Sequence, residues 1–577
     1  MTTPPAASAS ARAPRWHADM RRVVLGTGFG HGEQLAAARA AGAPLHYIAL
    51  LAELPAPQAI ADPELRAAWP TAVPGLHRLE LDGGRTTLDL LLGDVDTNLG
   101  EVTARVDEFF VPTPLASPRL LGKLALPGAR LAVCDGGDTW RRGLRAAGFS
   151  WQEGGESGWL EARYTGRKPQ APRPVPPERS AIVIGAGVAG SAACERLCAR
   201  GWQVTLLERH AEPATEASGN RAGIFMPLLS RDDNIPTRLT RAAYLYALRH
   251  WQRLGGLAPA GEPMLGDQCG VLQLARDADH AALQREIVEH WRYPQEFVRW
   301  LDAGAAATLL GGATPHGAWL FEQGGWANPA SICRAMLAAC GDRLRRVFSA
   351  AAVRLERRDG RWHAIGADGT VLASAAHAIV ANGAGALTLA QTAALPLYTM
   401  RGQVTHVAAA DFAALPLVIC REAYMTPPVG GIVSVGATYD KDDERVLRPA
   451  SQAENLARAR EILGPARVPE DLPLQGRVGL RCMAPDRLPL VGALPDYGAP
   501  GRPERLRDVA RLPNLHALLG YASRGLIWAP LAAELLAAML EDEPLPVEAS
   551  LAAALDPARF LLKERKRQGL PSVASAP

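Results

Sequence analysis

Residues 181–208 read AIVIGAGVAGSAACERLCARGWQVTLLE, and this stretch decides the fold of the larger part of the chain. Ala181–Ile184 is an apolar run of strand length. It feeds Gly185, Gly187 and Gly190 in a GxGxxG spacing, and SAACERLCARG then reads as a helix. Gln203–Leu207 is a second strand that ends on Glu208, 18 residues after Gly190. The first glycine permits a tight turn, the second lets a diphosphate approach the backbone, and the third lets helix and sheet pack closely. The helix tip then offers free N–H groups and a positive dipole end to the phosphates. A lone GxGxxG is weak evidence, but here strand, turn, helix, strand and acid fall in order. The reading predicts a βαβ dinucleotide site built on Gly185, Ala186, Gly187, Gly190 and Glu208, the last accepting from ribose hydroxyls. Arg209 stands beside it without implying a 2′-phosphate, which Glu208 would repel.

Working outward, three more stretches of small residues point to the same site. Glu216–Phe225 (EASGNRAGIF) supplies Ala217, Ser218, Gly219, Asn220 and Gly223, where backbone can lie against a flat ring or a diphosphate. Ala378–Gly385 (AIVANGAG) is a strand ending on Ala381, Asn382 and Gly383. Leu519–Gly525 (LGYASRG) places Ser523, Arg524, Gly525 and then Leu526 before a last helix over Trp528–Leu540. One fingerprint with two remote glycine-rich returns favours FAD over NAD.

The chain has 577 residues, 48% hydrophobic and 21% charged, with a net charge of +3. That is ordinary for a globular protein with more than one domain, and it demands no acidic partner. Lysines are few and arginines many, which provides planar forks suited to carboxylates and phosphates. No apolar run is long enough for a membrane span, and residues 1–20 lack the apolar core of a secretory signal; they read as a disordered tail. The eight cysteines are scattered, without zinc spacing, so no metal is expected and the thiols fit a reducing cytoplasm. A monomer is expected.

Lys168–Arg179 (KPQAPRPVPPER) is a proline-rich linker. Before it, residues 21–167 alternate strands (Val23–Leu25, Leu45–Leu51, Thr86–Leu92, Arg130–Cys134) with helices such as Arg141–Ala147, an α/β module with a largely parallel sheet. After it come residues 180–577, for which the family resemblance given next implies a two-part oxidoreductase. The FAD part is expected over about 180–265, 320–400 and 475–545, and an inserted α+β substrate part over about 266–319 and 400–474. Ala350–Val380 and Met400–Tyr439 read as strands and Asn455–Leu463 as a helix.

The large module resembles the FAD-dependent oxidoreductase domain of the bifunctional tRNA 5-methylaminomethyl-2-thiouridine biosynthesis family, MnmC, and more distantly the D-amino-acid and glycine oxidases. The resemblance rests on VIGAGVAG, VTLLERH, PLLSRDDN (Pro227–Asn234), RGQVTHV (Arg401–Val407), GRVGLRCMAPDRLPLVGALPD (Gly476–Asp496) and ASRGLIWAPLAAELLA (Ala522–Ala537). It implies oxidative removal of the carboxymethyl group from 5-carboxymethylaminomethyl-(2-thio)uridine at the tRNA wobble position. Hydride leaves the arm's CH₂ for the flavin, the imine hydrolyses to aminomethyl base and glyoxylate, and molecular oxygen reoxidises the cofactor. It further implies that Arg481 grips the substrate carboxylate, as a bidentate fork suits, and that Arg524 lies near the ring carbonyls. Arg401 and Tyr424 are further substrate-side candidates, Tyr424 as a lid. Asp232–Asp233 reads as a turn or helix cap.

Residues 20–165 resemble the methyltransferase half of the same family, through TGFGHG (Thr27–Gly32), LHYIAL, PGLHRLELDGGRTTLDLLLGD, ARVDEFF and RRGLRAAGF. Three departures stand out. Leu25–Gly26 replaces the acid before the glycine loop, Val111–Pro112 replaces an Asp-Gly-Phe loop, and SWQEGGESGWLEARY replaces a basic-aromatic stretch. Asp94 and Glu53 remain as candidates near adenine and ribose. A degenerate methyltransferase is therefore expected, with S-adenosylmethionine a doubtful cofactor. Arg141, Arg142, Arg145, Arg163, Arg167 and Lys168, and Lys563, Arg565, Lys566 and Arg567, are candidate phosphate-facing groups for tRNA. The rival readings are a free amino-acid oxidase, a silent FAD-containing tRNA-binding protein, and a fully active bifunctional enzyme.

Overall fold

Val183 and Ile184 can be buried because strands flank them on both sides. In the computed structural model, Ser180–Ile184 lies between Gln203–Leu207 and His377–Val380 in a six-stranded sheet. The sheet's order is Leu344–Val347, Gln203–Leu207, Ser180–Ile184, His377–Val380, Arg511–Leu519, Leu490–Pro495. The first five strands run parallel and the last is antiparallel. The structure describes residues 21–134, 136–152, 159–166, 178–470, 472–501 and 503–568. The expected tail and most of the linker, with Arg167 and Lys168, lie outside the described residues.

The chain divides into two units, one of Met1–Ala67, Arg78–Leu99 and Arg105–Pro172, the other of Ala68–His77, Gly100–Ala104 and Arg173–Pro577. In the second, the helix Val188–Cys198 is buried along its whole length, against Gly525–Glu541 and Pro329–Ala339, and Ile235–Arg253 packs on Gly525–Glu541 in turn. Even its charges are enclosed: Glu195 pairs with Arg196 at 2.7 Å and Arg253 at 3.3 Å, and Glu534 takes Arg200 at 2.7 Å. Removing one partner of such a network would strand a buried charge. Asp232 lies in a turn, but the helix cap is Asn234 rather than either aspartate. Asp233 has φ +43 and holds Arg241 at 2.6 Å, while the Asn234 side chain accepts from the Thr237 N–H at 3.1 Å.

A second, eight-stranded sheet runs Arg299–Leu301, Ala318–Phe321, Val271–Leu274, Val418–Cys420, Tyr424–Met425, Ile432–Gly436, Tyr398–Ala408, Gly476–Met483. The strand Gly476–Met483, expected in the cofactor part, is the edge of this sheet instead. It pairs antiparallel with Tyr398–Ala408 over eight residues, Arg481 opposite Met400.

The first unit holds its own eight-stranded sheet, in the order Gly75–Leu81, Thr86–Leu92, Leu45–Leu51, Arg22–Gly26, Val106–Val111, Ala125–Cys134, Trp159–Tyr164, Phe149–Ser150. Its centre is parallel, and the order reverses between Arg22–Gly26 and Val106–Val111. In open α/β sheets that reversal is the place where ligands bind. No helix among the described residues is long and apolar enough to cross a membrane.

Candidate functional site

The GxGxxG turn works as its spacing requires. Gly185 has φ +101, and a Cβ there would lie 2.7 Å from Asn382 Cα. A Cβ on Gly190 would overlap the Gly185 carbonyl oxygen, so helix and turn meet at backbone distance. Glu208 is buried at the end of its strand. It accepts from the Ala186 N–H at 2.8 Å and the His210 N–H at 3.0 Å, which fixes its carboxylate beside the turn.

These residues open onto a cavity of about 830 Å³, at the large end for small-molecule sites. Its wall includes Gly185, Gly187, Glu208, Arg209, Ala217, Ser218, Asn220 and Gly223 from the first βαβ region. Ala381, Asn382, Gly383, Ser523, Arg524, Gly525 and Leu526 come from the two remote returns, so all three stretches do converge. Asn382 Oδ1 is buried there without a hydrogen-bond partner among the described residues. The chain's donors and small residues thus fit FAD: a glycine cradle at a helix tip, a fixed acid one strand away, and an amide oxygen awaiting a donor.

Four predicted residues do not line the cavity: Ala186 and Gly190, which lie behind the turn's surface, and Gly219 and Arg401. Gly219 does not line the cavity; a Cβ there would press on the Arg477 guanidinium, so its smallness serves that packing. Arg401 is fully buried and faces away. Its guanidinium donates to Glu444 O (2.9 Å), Val446 O (2.8 Å), Asp440 Oδ2 (2.8 Å) and Gln403 Oε1 (2.8 Å). With its donors so committed it cannot grip a substrate, and that expectation is withdrawn. In the Arg401–Gly402 pair the glycine matters to the cavity, because a Cβ on Gly402 would overlap the Arg481 guanidinium.

Arg481 reaches the cavity across Gly402. It donates only to carbonyls, Thr438 O at 3.1 Å and Arg401 O at 3.3 Å, and lies 4.1 Å from the centre of the Tyr439 ring. Arg524, from the loop before the last helix, donates to Met226 O at 3.2 Å, and burial pulls its guanidinium below the ordinary range. No carboxylate among the described residues pairs with either arginine. Tyr424 lines the same wall, its phenol pushed up to about 12 by burial, with Arg481 pulling the other way. The wall thus carries two arginines without a carboxylate partner, alongside Glu208 and Asp443, and each guanidinium is a local site for an anionic group.

Three residues of the site escaped the sequence reading. Tyr439 and Arg445 sit on the loop after the strand Ile432–Gly436 and line the cavity. Arg445 pairs with Glu216 at 2.6 Å, and Glu216 also takes Arg209 and His210. Arg477 ties down the 215–220 loop by donating to Thr215 O at 2.6 Å, Glu216 O, and Asn220 Oδ1 at 3.2 Å. The only signal for Arg477 was its place in the GRVGLRC block. Arg565, expected to face phosphate, instead donates to the carbonyls of Ala499, Gly501 and Tyr497.

In the first unit two glycines of the loop lie close against neighbouring side chains. A Cβ on Gly26 would lie 2.6 Å from the Tyr47 hydroxyl, and one on Gly28 would lie 2.9 Å from Pro112 Cγ. Asp94 is spent capping the helix Val95–Glu101, accepting from the Thr97 N–H at 2.8 Å, and Glu53 is exposed beyond its strand.

The sheet, the glycine turn and the fixed acid define a dinucleotide-binding oxidoreductase, and comparison with known proteins agrees. Residues 180–539 match the family "FAD dependent oxidoreductase". Among solved structures, glycine oxidase from Geobacillus kaustophilus is similar in fold (TM-score 0.52, 20% identity, 66% of this chain and 98% of that one). So is iminodiacetate oxidase from Chelativorans sp. BNC1 (TM-score 0.50, 25% identity, 64% and 96%). Over nearly the whole chain the similarity is to MnmC, the tRNA 5-methylaminomethyl-2-thiouridine biosynthesis bifunctional protein. Identity is 42% with that of Azoarcus sp. (strain BH72), covering 95% of this chain and 91% of the relative. It is 43% with that of Burkholderia thailandensis, covering 87% and 81%. The chain belongs to the MnmC family.

Proposed function

We propose that this protein removes the carboxymethyl group from 5-carboxymethylaminomethyl-(2-thio)uridine at the wobble position of tRNA, using FAD. The observation that carries the reading is Arg481: a guanidinium inside the cofactor cavity, bonded to carbonyls alone. A carboxylate is the ligand that completes it, and a fork-to-fork pair fixes the arm's orientation. FAD, when bound, supplies the two-electron acceptor. The chain's residues do the rest. Gly185, Gly187 and Ser218 receive the diphosphate, with Gly190 letting the helix tip close on the turn, Glu208 receives the ribose, and Ala381–Gly383 with Ser523–Leu526 the remaining cofactor length. Arg481 holds the carboxylate, Arg524 adds positive field to the same wall, and Tyr424 closes one side against water. Loss of hydride from the arm's CH₂ leaves an imine, which water splits into the aminomethyl base and glyoxylate. Molecular oxygen is the proposed reoxidant and the cytoplasm the proposed location.

The similarity to iminodiacetate oxidase supports the same chemistry, since iminodiacetate is itself a secondary amine bearing carboxymethyl groups. It also keeps alive a second reading, oxidation of a free amine. The first unit is proposed to have lost methyl transfer, because Leu25–Gly26 stands where the family carries an acid and Val111–Pro112 where it carries an Asp-Gly-Phe loop. The test is mass spectrometry of wobble uridine from a strain lacking the gene. Accumulated carboxymethylaminomethyl-uridine is expected; accumulated aminomethyl-uridine would move the protein to the methyl step, and unchanged uridines would favour the free-amine reading.

A further inference from the structure

Among the large apolar side chains of the described residues, the two most exposed lie seven positions apart on one loop: Tyr439 at 54% and Val446 at 64%. That loop joins the strand Ile432–Gly436 to the helix Pro449–Leu463, and Tyr439 lines the cavity. The loop is firmly held. Arg401 and Asp440 exchange backbone hydrogen bonds of 2.9 and 3.0 Å, and the buried Arg401 side chain binds the carbonyls of Glu444 and Val446. Arg448 adds an ion pair to Asp442 at 2.9 Å. An aromatic ring held this firmly yet left open has paid its ordering cost in advance and is ready to stack.

One face of the Tyr439 ring lies on the Arg481 guanidinium, 4.1 Å from its centre, so the open area belongs to the other face and the edge. A planar group stacked on the open face sits about 3.5 Å away. That leaves about 8 Å between it and the guanidinium. The ring itself fills the straight line between the two, so an arm reaching Arg481 from a base on the open face must pass the ring edge, and a base offset toward that edge shortens the path.

We propose that Tyr439 is the platform on which the wobble nucleobase stacks while its arm bends round the ring edge to Arg481. It is then the residue that selects a base-bearing amine over a free one. The inference rests on the function proposed above.

The test uses FAD-loaded protein without oxygen, following bleaching of the flavin by tRNA carrying the carboxymethylaminomethyl base. In parallel, methoxyacetate, a small carboxylate without a base, is titrated against the flavin absorbance. Tyr439→Ala is expected to weaken tRNA about tenfold or more, Tyr439→Phe and Tyr439→Trp to stay within about twofold of wild type, and methoxyacetate affinity to fall far less than tRNA affinity in Tyr439→Ala. If Tyr439→Ala loses flavin or melts early, Tyr439→Leu, which keeps bulk without a π face, takes its place with the same expectation. Equal losses for tRNA and methoxyacetate would show that the ring only braces Arg481, and unchanged tRNA affinity would show that no base meets it; either overturns the platform. Wild-type flavin left oxidised by the modified tRNA would overturn the function itself, and the platform with it.

Discussion

The molecule contains two glycine-rich turns in the same local setting, each after a central parallel strand and before a helix. Gly185–Gly190 opens on an 830 Å³ cavity, whereas Gly26–Gly32 faces the Tyr47 hydroxyl and Pro112. The glycines give both turns similar backbone freedom. What differs is the residue placed opposite: small residues at 217, 218 and 381–383 in one case, a phenol and a proline ring in the other. Glycine spacing therefore licenses a phosphate site, and the neighbouring strand ends decide whether one exists.

The contrast breaks most sharply at Gly190. Gly190→Val drives a branched side chain into the Gly185 carbonyl. It should cost about 3 kcal/mol or more and leave the purified protein colourless, read as flavin absorbance per chain. Arg481→Met should retain flavin yet slow its reduction by modified tRNA by about 10²- to 10³-fold, the cost of leaving a carboxylate unpaired. In the first unit, Gly28→Ala meets Pro112. It should lower that unit's melting stability by about 1–2 kcal/mol with flavin content untouched. The wild-type chain titrated with S-adenosylmethionine up to about 1 mM should give no binding heat; micromolar binding would erase the distinction between the turns.

The smallest effect concerns pH. Burial opposes ionisation of Glu216, but Arg445, His210 and Arg209 outweigh it and hold its carboxyl at about 2, against 4.5 ordinarily. A depressed carboxyl contributes stability that is present above 4.5 and lost as pH falls toward 2. Wild type should therefore melt slightly above Glu216→Gln at neutral pH, and the gap should close across that window.

The cofactor half of the site was legible in the sequence because its signals are local: strand, turn, helix, strand and acid follow one another within 28 residues, 181–208. The strands Leu45–Leu51, Thr86–Leu92 and Gln203–Leu207 were readable for the same reason, each an uninterrupted apolar or alternating run. The helix Ile235–Arg253 was not read. Arg241, Tyr244, Tyr246 and His250 are all buried in it, which blurs the apolar stripe that marks a helix. The substrate half depends on distant pairing. From sequence Arg401 reads as a substrate ligand because its partners, Asp440, Glu444 and Val446, come 39 to 45 residues later, on a loop with no pattern of its own. Tyr439 became visible as a rim residue only once Gly402 let Arg481 cross beneath it.

The cavity wall runs from Ile184 to Leu526, and this has a consequence for biosynthesis. A ribosome adding about 5–20 residues per second needs roughly 20–70 s to travel from the first glycine of the turn to the loop that closes the ring edge. Throughout that interval the nascent cradle has no opposite wall. Cofactor capture must then be a late, nearly post-translational event, and chains stalled before residue 526 should emerge without colour however much flavin surrounds them.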